Sequence, residues 1–219
     1  MSDPTRQRRA PASDGLLIIG LVGRAGSGKS SVARALARRG AVVLDADRIG
    51  HDVTDSDPEV RAALLAGYGP AVYLDDGTLN RRLVATMVFS SPPALAALNQ
   101  LVHPRILQRL RAQLAALASE AFRGPVVVDA ALMLDWGFER DCDAIIVVTA
   151  PEAAQVARLV AARGWSEAEA LRRLAAQKPE AFFAAAADEV LQNSGSEAEL
   201  GAAAAATLER LTARAAERV

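Results

Sequence analysis

LLIIGLVGRAGSGKSSVARALARRG, running from Leu16 to Gly40, is the stretch that decides the fold. A greasy run over 16–22 ends on Gly23-Arg24-Ala25-Gly26-Ser27-Gly28-Lys29-Ser30, and a helix is expected over 30–39, closed by Gly40, a suitable residue just past a helix end. The octet fits G-x-x-x-x-G-K-[ST], and a strand before with a helix after is the context that gives this pattern its meaning. The sequence holds 15 glycines and two lysines, and one of those two lysines occupies the motif position. Glycines let backbone N–H groups converge on phosphate oxygens while the following helix presents its positive end. Gly23, Ala25, Gly26, Ser27, Gly28, Lys29, Ser30 and Ser31 are therefore the candidate nucleotide-binding residues. Lys29 is placed to reach the β- and γ-phosphates and the Ser30 hydroxyl to meet Mg²⁺. No N-K-x-D guanine-reading signature is present, which favours ATP.

The next stretch, AVVLDADRIG, ends a second strand on Asp45 and Asp47. Residues i and i+2 of an extended chain point to the same side, and ligands of open α/β sheets bind outside the carboxyl ends of strands. The pair is expected to look into the cleft of the phosphate loop, one carboxylate as general base toward a hydroxyl, the other ordering magnesium water. A structural alternative makes Asp47 the N-cap of a helix beginning at Arg48. Asp129, at the end of PVVVD, resembles the magnesium-side carboxylate of phosphate-loop proteins.

Apolar runs over 16–22, 41–45, 126–130 and 144–149 are continuous rather than alternating, which is how strands buried on both faces of a parallel sheet read. A shorter candidate covers 189–193. Helices are expected over 151–163, 166–177 (with a capping box at Ser166–Glu169) and 196–218. Alternating strands and helices imply an α/β fold with a five-stranded, parallel, doubly wound sheet. The connection over 57–124 holds helical segments near 58–66, 79–89 and 92–122 and reads as a helical acceptor-binding insertion. The expected division is a lead-in at 1–15, a nucleotide-binding core at 16–56, 125–164 and 187–219, the insertion at 57–124, and a small lid at 165–186. In the insertion, Arg81 and Arg82 fall in a first helical turn, and His103-Pro104-Arg105 resembles a helix start with His103 near the cap. Around the lid, Arg158, Arg163, Arg172 and Arg173 offer charge for a transferring phosphoryl group.

At 219 residues the chain suits one well-cored domain with a smaller insertion. With 51% hydrophobic and 23% charged residues and a net charge of −1, it has no global basic field calling for nucleic acid or an anionic membrane. Cys142, the lone cysteine, excludes an internal disulfide and a cysteine-rich metal site. The first fifteen residues read as a disordered lead-in, no run approaches a membrane span, and a cytoplasmic monomer or weak homo-oligomer is expected.

Several of these pieces together resemble one family, dephospho-coenzyme A kinase. GLVGRAGSGKSSVARALARRGAVVLDADRIGHDV looks like its opening; DGTLNRRLV, VFSSP and LVHPRI look like its coenzyme-A-binding segment. VVVDAALMLD, RLVAAR and AADEVLQNSG look like its third strand, lid approach and adenine-side loop. The resemblance implies a phosphate-loop core with helical substrate domain and lid, and transfer of the ATP γ-phosphoryl to the ribose 3′-hydroxyl of dephospho-coenzyme A. It implies Asp47 as the base, Arg81 and His103 on the acceptor side and Asn193 near adenine; the residues themselves put Asp45 and Asp129 on the substrate side, Ser30 and Asp129 toward Mg²⁺, and Arg158 and Arg163, with Arg173 as an alternative, beside the reacting phosphate. Three departures stand out. Arg24 replaces a usual glycine, Ala131 and Asp135 replace a usual proline and glutamate, and Phe183 replaces a lysine, leaving Lys178 or Arg173 to compensate. A phosphate-loop kinase for another small metabolite or nucleotide, and a non-catalytic nucleotide-binding relative, remain open on the residues alone.

Overall fold

The computed structural model describes residues 15–89 and 91–217. Of the expected lead-in over 1–15, only Gly15 lies within the described residues. Strands β1 (Leu17–Val22), β2 (Val42–Asp45), β3 (Pro125–Asp129), β4 (Ala144–Thr149) and β5 (Glu189–Gln192) form one all-parallel sheet in the order β2-β3-β1-β4-β5. The continuous apolar runs account for the middle of that order: Ile19, Leu21, Val126, Val127, Val128, Ile145, Ile146 and Val147 are fully buried. The reading of residues 41–45 as a strand buried on both faces is corrected, because β2 is an edge strand with half-buried Val42–Leu44 and an exposed Asp45. An edge strand lacks a neighbour on one side, so its apolar residues serve fewer contacts.

Helix α1 (Lys29–Ala37) closes with the Gly40 N–H on the Ala37 carbonyl (3.0 Å) and the Ala41 N–H on the Leu36 carbonyl (3.2 Å), Gly40 standing at φ 89°. This paired closure needs a left-handed residue, which glycine supplies without a Cβ clash. Val32, Leu36, Leu200, Ala204, Leu208 and Leu211 join α1 and α9 (Glu197–Ala216) to one face of the sheet in a single buried cluster. At the amino ends of the strands, Ile18 N–H donates to Asp143 (2.7 Å) and Ile145 N–H donates to Asp188 (2.6 Å). The capping box belongs to Ser196 and Glu199 at the start of α9, where both reciprocal bonds form. At Ser166 it is only half made: Ser166 caps Glu169 N–H, but the Glu169 carboxylate pairs with Arg172 and Arg173.

Two compact units divide the chain, one of 1–45 and 117–219, the other of 46–116. The first holds the sheet, α1, α9, α6 (Glu152–Arg163), α7 (Glu167–Ala175) and α8 (Glu180–Ala184). The second holds α2 (Ala46–Ser56), α3 (Pro58–Tyr68), α4 (Arg81–Phe89) and most of α5 (Pro92–Ser119). Asp57 caps α3 with Pro58 at its first position, and the Asn80 side chain accepts the Leu83 N–H at the start of α4. Two expectations are corrected here. Asp47 lies inside the first turn of α2, so it is neither an N-cap nor part of the extended segment that would align it with Asp45. Pro104 lies inside α5 and starts no helix. Proline cannot donate to the carbonyl one turn back, and the neighbouring Leu101 carbonyl is taken by Arg105 Nη1 (2.9 Å).

Candidate active site

Leu21, Asp129 and Asp45 stand in register across β1, β3 and β2. The phosphate loop leaves the carboxyl end of β1, the central strand, two residues beyond that row. Register neighbours in a parallel sheet share a face, so the Asp45 and Asp129 positions form an acidic pair at the edge where the loop begins. The pairing foreseen between Asp45 and Asp47 is replaced, within this unit, by Asp45 and Asp129.

The loop is shaped by close approach. Gly23, Gly26 and Gly28 all have positive φ (147°, 72° and 107°). A Cβ on Gly23 would stand 2.3 Å from the Val148 carbonyl oxygen, on Gly26 2.7 Å from the Gln155 carbonyl oxygen, and on Gly28 2.2 Å from Asn193 Nδ2. Arg24 shows no positive φ, so a side chain there carries no backbone penalty.

Side-chain donors hold the loop's carbonyls. Lys29 Nζ donates to Gly23 O (2.9 Å), Arg158 Nη1 to Gly26 O (3.0 Å) and Ser27 O (3.3 Å), and Asn193 Nδ2 to Ser27 O (2.8 Å). A planar trans peptide points its N–H opposite to its C=O, so fixing the Ser27 carbonyl turns the Gly28 N–H to the other side. α1 has no acidic residue in its first turn, so no side chain there competes with a phosphate for its positive end. Asn193, which the resemblance puts near adenine, is 6% exposed and braces Ser27 from behind. Arg158, foreseen beside the reacting phosphate, grips loop carbonyls and the Asn193 carbonyl (3.4 Å). Arg163, at the last position of α6, is exposed. Gln155, missed in the sequence, is 1% exposed and donates to Ala150 O (2.6 Å) beneath Gly26.

Residues 165–186 meet this loop directly. Arg24 Nη2 donates to Leu174 O (2.7 Å), and Ala25 N–H donates to Gln177 Oε1 (2.9 Å). Phe183 is 6% exposed, and α8 packs on β4. Neither suggested substitute for the lysine is unoccupied: Lys178 lies 3.9 Å from Asp135 and against the Phe182 ring, and Arg173 is bonded to Glu169 (2.8 Å) beside Trp165.

In the second unit Arg81 donates to Asp55 Oδ2 (2.9 Å), the His51 carbonyl (3.2 Å) and the Thr54 hydroxyl (3.3 Å). Burial pushes the Asp55 carboxyl up, but the Arg81 hydrogen bond, the Leu79 N–H (2.8 Å) and the Arg81 charge outweigh it and hold the group below its ordinary value near 3.8. Arg61 reinforces the same corner by donating to the carbonyls of Asp55 (2.8 Å) and Gly77 (2.7 Å) and stacking on Tyr73. Asp55 was not foreseen; it anchors the arginine that was. Asp47 is exposed in α2, and His103 is half-buried inside α5.

A cleft of about 280 Å³ opens at the other edge of the sheet, lined by Gly15, Arg123, Asp143 and Asp188 among others. Its two carboxylates are already committed to strand N–H groups, so the chemistry belongs to the loop edge.

An all-parallel sheet with a lysine-bearing phosphate loop at the carboxyl end of its central strand, and carboxylates ending the two strands to one side of it, is the arrangement of the phosphate-loop kinases. Within that class the sequence model of the dephospho-CoA kinase family matches residues 17–199, and the chain belongs to that family. It is 38% identical over 200 residues to the dephospho-CoA kinase of Thermobifida fusca (91% of this chain, 98% of the relative) and 38% identical over 188 residues to that of Chlorobaculum tepidum (84% and 89%). Among solved structures it is similar to TT1252 from Thermus thermophilus, with TM-score 0.74, 34% identity and coverage of 89% and 97%. The dephospho-CoA kinase from Campylobacter jejuni, at 19% identity and TM-score 0.62 over 90% and 98%, shares the fold.

Proposed function

We propose that the chain transfers the γ-phosphoryl group of ATP to the ribose 3′-hydroxyl of dephospho-CoA. ATP-dependent phosphorylation of dephospho-CoA is the activity of its family, and the observation that carries the reading here is the intact cradle. Three glycines with positive φ, Lys29, and carbonyls tied back by Arg158 and Asn193 leave N–H groups for a polyphosphate.

The roles follow from chemistry. Gly23, Gly26, Ser27, Gly28, Ser30 and Ser31 take the phosphates, with Lys29 on the β- and γ-oxygens, while Ala25, foreseen among them, gives its N–H to Gln177 instead. Asp47 accepts the hydroxyl proton as the oxygen attacks, a task for an exposed carboxylate in hydrogen-bond reach of the acceptor. Arg81 and His103 bind dephospho-CoA, Arg81 by offering a guanidinium held in place by Asp55. Arg163 meets charge on the transferring group, while Arg158 and Asn193 act by holding the loop. Mg²⁺ is bound mainly by phosphate oxygens with one or two protein oxygens, and the Ser30 hydroxyl and the Asp129 carboxylate, both hard oxygen donors, fit that demand; Asp45, beside Asp129 in the sheet, supports it. Held there, the ion would supply positive charge to offset that of the phosphates. The protein works in the cytoplasm as a monomer or weak homo-oligomer and needs no nucleic acid or membrane.

The test offers the purified protein Mg-ATP with dephospho-CoA and, separately, a panel of nucleosides, sugars and shikimate, following ADP release and the mass of the product. ADP formed only with dephospho-CoA, with one phosphate added to the ribose 3′ position, is the expected result. Turnover with another acceptor, or ATP binding without turnover, would refute the assignment.

A further inference from the structure

We infer that Arg24 is a positioning residue that pins the root of the lid, residues 165–186, to the phosphate loop; this rests on the lid reading above. Four observations converge on one spot. The Arg24 side chain is 15% exposed, and its Nη2 donates to the Leu174 carbonyl at 2.7 Å. That carbonyl lies in the last turn of α7, at the negative end of the helix, where a cation is favoured, and it accepts the Gln177 N–H (3.1 Å) as well as Arg24. Arg24 Nη1 also lies 3.8 Å from Glu152 in the first turn of α6. One residue further, Ala25 N–H donates to Gln177 Oε1 at 2.9 Å, so consecutive loop residues grip the chain at 174 and again at 177. Finally, Ala25 packs against the small core formed by Val156, Leu159, Ala170 and Leu174 between α6 and α7.

The phosphate loop thereby belongs to the packing of the lid as well as to the nucleotide site. A hydrogen bond from a guanidinium is stronger than one between neutral groups, and this one bridges residues 150 apart in sequence. On the far side, Phe183 inserts beside Gly23, Arg24 and Val148 and moors α8. Just before the lid, the corner between α6 and α7 turns at Gly164 with φ 65°, and Arg163 is exposed beside it. Arg24 thus sets where Arg163 stands relative to the loop. Phe183 supplies apolar packing but no charge, and Arg24 supplies the charged tie.

The test compares the full chain with Arg24→Gly and Arg24→Lys by amide hydrogen exchange over 167–177 and by kcat and KM. Arg24→Gly is expected to speed exchange in that segment about tenfold, in line with loss of one charged hydrogen bond, and to lower kcat about tenfold while KM for dephospho-CoA stays within about twofold. Arg24→Lys, which keeps a donor, is expected to recover most of both losses. Unchanged exchange in Arg24→Gly overturns the pin, and so does a fall in KM-linked binding with kcat intact. If Arg24→Gly fails to fold, Gln177→Ala reads the neighbouring tie: faster exchange over 167–177 supports the pin and unchanged exchange overturns it. The exchange measurement needs no acceptor, so a parent protein without turnover would count against the proposed function and leave the pin to be decided on its own.

Discussion

The phosphate loop and the Arg81 corner are both polar sites, built by opposite means. In the loop the backbone is the ligand, and side chains serve it from behind: Arg158, Asn193 and Lys29 each donate to a loop carbonyl, and three glycines accept approaches that no other residue could. At the Arg81 corner a side chain is what is positioned, and both backbone and side chains serve it: Asp55, the His51 carbonyl and the Thr54 hydroxyl hold one guanidinium. A backbone site requires residues that are conformationally special, and substitutions there act through strain. A side-chain site requires a charge partner, and substitutions there act through misplacement and pH.

The largest effect is expected where chemistry rather than construction is removed. Asp47→Asn should lower turnover about a thousandfold, within the range for losing a general base, while ATP binds within about twofold of normal; quench-flow kinetics and nucleotide titration measure both. Unchanged turnover would show that Asp47 has no part in proton transfer. Next comes strain in the loop. Gly28→Ala puts a methyl group 2.2 Å from Asn193 Nδ2 at φ 107°, and should cost about 2 kcal/mol of stability with loss of ATP binding, read by chemical denaturation. Restoring only part of that loss with Asn193→Ala would separate backbone strain from the clash.

At the Arg81 corner the effect is smaller and depends on pH. Asp55 has a folded value below 3.8, so its stabilising contribution is complete above that pH and disappears as pH falls through the lower folded value. Asp55→Asn should therefore cost about 1 kcal/mol at pH 6, with the gap from the parent protein closing below pH 3.8, in denaturation curves taken across that range. A gap that stays constant would mean that Asp55 serves Arg81 without its charge. Smallest of all is a control on the surface: Glu197→Ala removes the ion pair with the exposed Arg34 and should leave the thermal midpoint where it was.

The two regions also differed in how far their sequences could be read. The octet Gly23–Ser30 announces a backbone site because glycine spacing is itself the geometry, and the apolar runs flanking it fixed strand and helix alike. Asp129 was legible for the same reason, as the polar end of an apolar strand. Asp47 was harder: the rule that places i and i+2 on one face holds only while the chain stays extended, and α2 begins at Ala46. Pro104 misled because proline favours a helix start, whereas α5 continues through it with Arg105 covering a neighbouring carbonyl. Asp55, Gln155 and Gln177 carry no pattern of their own. Their partners are 26, 5 and 152 residues away, and only folding reveals them. Arg158 and Asn193 were singled out in the sequence, but it could not tell a residue placed to face a nucleotide from one that props up the loop behind it.

The division of labour between the two regions is tested most directly by titrating ATP and dephospho-CoA separately into Lys29→Ala and Arg81→Gln. Lys29→Ala should lose ATP affinity by about a hundredfold and keep dephospho-CoA affinity, and Arg81→Gln should do the reverse by about tenfold. If Arg81→Gln weakened ATP as much as it weakened dephospho-CoA, the account of a separate acceptor site in the helical unit would be wrong.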